Sequence, residues 1–238
     1  MAYRSTERTE QHRAARSAAL IDAGLALVAE GGFSAATIAR VADRAGVSTG
    51  TVYTYFPEKS ALTAAVFERA AGIELEMVRS AVAFGTAARL ETPAIQRLDA
   101  LVRVFGSRAL RGRTLAMALL FEAADVGVER ERLLFRRAYT DTVAEVLADG
   151  VVEGTLPSER IDLLAPAIVG ALGEAFIRPL SPAADGRSDV DTVEVLDSLA
   201  AACQRLAGFE VASADPSRAG DPAGRAPNTT TALRPPTT

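Results

Sequence analysis

Apolar positions along this chain return at steps of three and four residues, and runs of alternating β-branched residues are absent. That is the period of helices rather than strands, so an all-α fold is expected. From Arg8 to Glu30, Ala15, Ala19, Ile21, Leu25 and Val28 mark one helix, and the Gly31-Gly32 pair should stop it. Two short helices, 38–45 and 49–56, precede Pro57. A long helix over 58–84 follows, carrying Leu62, Val66, Phe67, Ile73, Met77 and Val78. Further helices are expected near 94–108, 113–126, 129–152, 159–178 and 189–207, separated at Gly112, at Gly127, over 154–157 and over 179–186. Beyond Ser213, Pro216, Pro222, Pro227, Pro235 and Pro236 stand among Ala, Gly, Ser, Thr and Arg, a composition that cannot bury enough apolar surface to order itself. The expected division is a small helical head over 1–57, a larger helical body over 58–210 and a disordered tail over 211–238.

The stretch from Thr37 to Phe56 holds the densest local information. Two helices that cross closely need a small residue on the inner face, which Ala42 supplies, and a sharp turn four residues later, which Gly46 permits by entering the left-handed region. Val41, Ala45, Val47 and Val52 fill the wedge. Thr37 and Ser48 are placed to cap the two helices through their hydroxyls. Ile38, Ala42, Gly46 and Val52 in this register spell a helix-turn-helix, whose second helix lies in a DNA major groove while the first crosses the backbone.

With Glu30-Gly-Gly-Phe33 before it and Tyr-x-Tyr-Phe-Pro-x-Lys59 and Leu62 after it, this segment resembles the TetR family of transcriptional regulators over about residues 14–69. The resemblance implies a three-helix DNA-binding head. It also implies a larger helical body that dimerises and holds a small effector, with repression relieved by that effector. In the family pattern the lysine at position 59 contacts the DNA backbone. This chain departs from the pattern by carrying Thr49 and Thr54 where Lys and His are usual, which leaves fewer cationic contacts.

Residue chemistry in the head points the same way. Thr49, Thr51, Tyr53 and Thr54 line a short helix with hydroxyls, Gly50 allows close backbone approach, and Val52, Tyr55 and Phe56 form the apolar side. Such hydroxyls meet phosphates, base edges and thymine methyls. The candidate DNA-contacting set is therefore Thr37, Arg40, Arg44, Ser48, Thr49, Gly50, Thr51, Tyr53, Thr54, Tyr55 and Lys59. Each arginine reads equally as a solvated surface residue. Arg4, Arg8, Arg13 and Arg16 could form a minor-groove arm, although Glu7 and Glu10 among them favour a frayed, charge-balanced terminus, with His12 a solvated residue.

Charge sharpens this picture. Of 26 basic residues only Lys59 is a lysine, and the net charge is −4. Residues 1–70 hold 8 basic and 7 acidic side chains, whereas 71–238 hold 18 and 23, so the acidity resides in the body. One His and one Cys (Cys203) cannot supply a Cys/His zinc site, and His12 is the sole His for a triad. No nucleophile elbow or phosphate-cradling glycine loop is present. An enzyme, a metal site and a cofactor are not expected. The polar N-terminus reads as neither a signal peptide nor a membrane span, so a cytoplasmic protein without membrane association is expected.

In the body, Leu163, Leu164, Ala167, Ile168, Gly170, Ala171, Leu172, Gly173 and Phe176, with Val193, Val195, Leu196, Leu199, Ala202 and Leu206, suggest a homodimer seam through about 159–207. Effector-pocket candidates are Leu101, Phe105, Met117, Leu120, Phe121, Glu122, Asp125 and Tyr139, each of which core packing would equally explain. Partners follow as a palindromic double-stranded DNA operator, a second copy of the chain and a small molecule of unspecified chemistry. The alternatives are a helix-turn-helix DNA-binding protein without ligand control, or an activator.

Overall fold

The computed structural model describes residues 7–83, 91–157, 160–181 and 191–209, and among them every regular element is a helix. The tail expected over 211–238 lies outside the described residues. In chain order the helices are α1 (Glu7–Ala35), α2 (Ile38–Arg44), α3 (Thr49–Tyr55), α4 (Lys59–Ala83) and α5 (Ala94–Arg111). There follow α6 (Arg113–Leu120), α7 (Val126–Val152), α8 (Ile161–Ala175), α9 (Ile177–Leu180) and α10 (Thr192–Ala207).

The glycine pair expected to stop α1 breaks its helical backbone at Gly31 and Gly32, the latter at φ +72, and one further turn then leads into α2. Two expected boundaries move. Over 113–126 the helix ends at Leu120, because Asp125 acts as the cap of the next helix, its carboxylate accepting from the Val128 N–H at 3.1 Å. Gly127 therefore lies in the first turn of α7, where a Cβ would stand 3.1 Å from the Ser60 carbonyl oxygen, and its role is close approach to α4. Over 159–178 the expected helix divides into α8 and α9 at Phe176.

Two hydrophobic cores result. The first joins Leu20, Leu27, Val28, Phe33, Val41, Val52 and Phe56 to Leu62, Val66 and Phe67 of α4, and also takes in Ala118, Leu119 and Val128. The second joins Val78 and Val82 to Leu98, Leu101, Val102, Val143, Val146, Leu147, Ile168, Leu172, Phe176, Leu196 and Leu199. α4 thus contributes its first half to one core and its second half to the other, so a rotation or slide of α4 is felt by both.

The second core encloses a charge. Arg97 is only 1% exposed; its Nη1 pairs with Asp149 at 2.6 Å and its Nε donates to the Val82 carbonyl at 3.2 Å. A buried guanidinium persists only when so partnered. Two helices, Thr9–Ala35 and Ile161–Leu180, are long and apolar enough to cross a membrane by length and composition. Leu20, Leu27 and Val28 of one and Ile168, Leu172 and Phe176 of the other are buried in the two cores.

Candidate nucleic-acid interface and cavity

The turn between α2 and α3 is built as its residues dictate. Gly46 takes φ +64, and Val41, Ala42 and Val52 are buried on the inner side. Thr37 Oγ1 accepts from the Arg40 N–H at 3.3 Å and Ser48 Oγ from the Thr51 N–H at 3.1 Å, so both short helices carry side-chain caps. Each cap is worth about 1 kcal/mol, which is substantial for a two-turn helix.

On α3, Thr49, Gly50, Tyr53 and Thr54 are exposed, Tyr53 to 50%, whereas Tyr55 is half-buried against the first core. Two hydroxyls turn back on the helix. Thr51 Oγ1 lies 2.9 Å from Ser48 Oγ, and Thr54 Oγ1 donates to the Gly50 carbonyl at 3.0 Å, keeping its lone pairs for an external donor. The helix itself carries no charged side chain. Lys59 is exposed at the first position of α4 and Arg40 is exposed on α2. Arg44, also among the expected contacts, is exposed and pairs with Glu30 by two hydrogen bonds of 2.6 and 2.9 Å, and that pairing lowers the Glu30 pKa and raises that of Arg44.

In the body an apolar cavity of about 140 Å³ lies among α4, α5, α6, α7 and α8. Of the eight residues expected there, Phe105, Leu120, Phe121 and Tyr139 line it. Leu101 is wholly buried in the second core and Met117 packs against that core, away from the cavity lining. Asp125 caps α7 and also accepts from Thr63 Oγ1 at 2.5 Å.

Glu122 has a different task altogether. Its two carboxylate oxygens accept the backbone N–H groups of Phe33 at 2.8 Å and Ser34 at 3.1 Å, immediately after the break in α1. The carboxylate fills the space that a side chain at Gly32 would occupy.

Of the cavity's polar groups, Tyr139 is expected from sequence, whereas the pairing of Arg108 with Glu74 is not. Arg108 and Glu74 form a two-pronged pair at 2.5 and 2.8 Å from facing helices, each about a quarter exposed. Tyr139 stands beside them, its hydroxyl pKa raised first by burial and then by the nearby Glu74 carboxylate. Phe105 sets its ring edgewise to both Tyr139 and Phe176, with centroids 5.9 and 5.6 Å apart. Arg132 donates to the carbonyls of Leu119 at 2.9 Å, Ala118 at 3.2 Å and Glu122 at 2.8 Å, satisfying carbonyls at the C-terminal end of α6. It also pairs with Glu129 and lies over the Phe67 ring, 5.8 Å from the centroid. Arg136 lines the cavity and is exposed; its guanidinium forms no hydrogen bond or ion pair among the described residues.

The expected seam splits by exposure. Leu163 is 55% exposed and Val193 63%, and Leu206 and Ile177 are also exposed, whereas Ile168, Leu172, Phe176, Leu196 and Leu199 are buried within the chain. At Gly170 and Gly173 an added Cβ would meet nothing within 4 Å.

Comparison with known proteins agrees with this geometry. Residues 20–66 match the family described as bacterial regulatory proteins, tetR family. The HTH-type transcriptional repressor KstR of Mycolicibacterium smegmatis is 28% identical over 184 residues, covering 63% of this chain and 85% of the relative. KstR of Mycobacterium tuberculosis is 31% identical over 134 residues, covering 55% and 58%. Among solved structures, the fatty acid degradation regulator FadR from Bacillus halodurans superposes with a TM-score of 0.63 at 22% identity, over 80% of this chain and 97% of that one. FadR from Bacillus subtilis in complex with stearoyl-CoA superposes at 0.64 and 19% identity, over 78% and 96%. At these identities the solved structures establish the fold.

Proposed function

Through residues 20–66 the chain belongs to the tetR family of bacterial regulatory proteins, and from that premise we propose that it is a cytoplasmic, homodimeric transcriptional repressor released from its operator by an effector with an apolar chain. α1–α3 form the DNA-binding head, Thr49, Gly50, Tyr53 and Thr54 meet the major groove, and Thr37, Arg40 and Lys59 meet phosphates. Two heads span two half-sites of a palindrome, since one seven-residue helix reads too few base pairs for useful specificity. The exposed apolar side chains of α8 and α10, with Gly170 open to close approach, support pairing of those helices with a second copy.

One observation carries the coupling of ligand to DNA. Phe121 lines the cavity, and the next residue, Glu122, holds the backbone of Phe33 and Ser34 in the head. A displacement at the end of α6 is therefore applied directly to the α1–α2 junction. A 140 Å³ cavity is smaller than the usual ligand site of about 300–1,000 Å³. A chain-like ligand binds by pushing the helices apart, so it prefers an expanded arrangement, which is the differential affinity that a population shift requires. Arg136 at the cavity suits an anionic headgroup. The stearoyl-CoA held by the Bacillus subtilis FadR structure is a ligand of this kind.

The test begins with a duplex selected from a random-sequence pool. Its anisotropy-monitored complex with the full chain is titrated with stearoyl-CoA. Weakening of about 5- to 150-fold, the usual range of coupling between two sites, is expected. A complex indifferent to saturating stearoyl-CoA contradicts the acyl-chain assignment.

A further inference from the structure

A second concavity lies at the other end of the molecule, between the first turns of α1 and the recognition helix α3. Its walls are Thr9, His12, Arg13 and Arg16 on one side and Thr54 and Tyr55 on the other, with Ala15 and Ala19 at its base. Residues 9, 12, 13 and 16 follow helical spacing, so they share one face of α1. His12, Arg13 and Arg16 are exposed, and the two guanidinium groups form no ion pair or hydrogen bond among the described residues. Glu10 falls outside the residues that form the groove.

We infer that this groove binds the phosphate backbone of DNA beside the half-site read by α3, with Arg13 and Arg16 as the phosphate-contacting groups. The inference rests on the DNA-binding reading and extends its footprint. Charge supplies the argument. Phosphate neutralisation provides the salt-dependent part of protein–DNA affinity, yet α3 has no charged side chain and Arg44 is held by Glu30. Cations close to α3 must come from neighbouring elements, and Arg13 and Arg16 present theirs across the groove from Thr54. The groove is open, and two guanidinium groups with the hydroxyls of Thr9 and Thr54 border it, which suits a strand of phosphates. It is also continuous with the face of α3 that meets the bases. Sequence alone favoured a charge-balanced, frayed terminus here; α1 is helical from Glu7, and that rigidity fixes the two arginines relative to α3.

The probe is a random-sequence duplex, so no operator is needed. Binding of the full chain is followed by fluorescence anisotropy between about 50 and 200 mM salt, where each neutralised phosphate contributes about 0.9 to the log–log slope. The Arg13→Ala/Arg16→Ala chain should show a slope smaller by about 1–2, with its circular dichroism unchanged because both side chains are exposed. Arg13→Lys/Arg16→Lys should keep the slope. If the double alanine variant keeps the wild-type slope while Lys59→Ala lowers it, the groove assignment falls and the DNA-binding reading stands. If the wild-type chain shows no salt-dependent binding to the duplex, both fall.

Discussion

At the scale of single residues, the head depends on hydroxyls and the body on buried or partnered charge. Ser48→Ala removes the only side-chain acceptor at the start of α3 among the described residues, and a loss of about 1 kcal/mol in urea unfolding is expected. DNA affinity should fall further than that figure, since α3 has few turns to restrain it. Arg97→Ala removes the guanidinium paired with Asp149 and empties a site that is 99% covered, so a larger loss of about 3 kcal/mol is expected by the same measurement. Cys203 offers a pH signature. Burial pushes its thiol up to about 11, whereas an unfolded chain ionises near about 8.5. The folded state therefore holds the proton more tightly, and this group's contribution is constant below the unfolded value and is lost as pH rises from there through 11. At pH near 8 a thiol reagent should label the native protein far more slowly than the urea-unfolded chain; equal rates would show that the site is open.

Among the elements, α6 connects cavity and head. Glu122→Ala removes two charge-assisted hydrogen bonds from the α1–α2 junction. It should cost about 1–3 kcal/mol and leave bound DNA less responsive to ligand. Gly32→Ala should reproduce the uncoupling, since the position has φ +72 and its Cβ collides with the Glu122 carboxylate. Agreement between two substitutions about 90 residues apart in sequence, compared in one anisotropy titration, distinguishes a link from local damage.

The same helices show how far sequence reasoning reaches. The helix-turn-helix was legible because its determinants are local: Thr37, Ala42, Gly46 and Ser48 lie within one short stretch and each answers to a backbone requirement. Helix ends were less so, because Gly127 reads as a breaker until Asp125 is seen to cap α7. The cavity was half legible. Periodicity marks Leu101, Phe105 and Met117 alike as apolar, but which of them faces a void and which faces another helix depends on interhelical packing. Glu74 and Arg108 stand 34 residues apart on different helices and Arg132 reaches back across a turn to the end of α6, so helical spacing carries no trace of either contact. Glu122 was singled out as a cavity residue, and its carboxylate instead holds the backbone of Phe33 and Ser34 in the head.

For the whole molecule, the account requires two heads at a fixed separation, which the body sets. Leu163→Glu combined with Val193→Glu places charge on the exposed apolar faces of α8 and α10 without entering the core. Sedimentation should then report a monomer of unchanged helicity, and operator affinity should fall steeply as one half-site is lost. A dimer that survives both charges would put the seam elsewhere. The most direct test of the central claim is selection of bound duplexes from a random-sequence pool by the full wild-type chain, followed by sequencing. The account predicts enrichment of a two-fold symmetric site with half-sites about one helical turn, 10–10.5 base pairs, apart or a multiple of it. No enrichment, or a single asymmetric half-site, would contradict it.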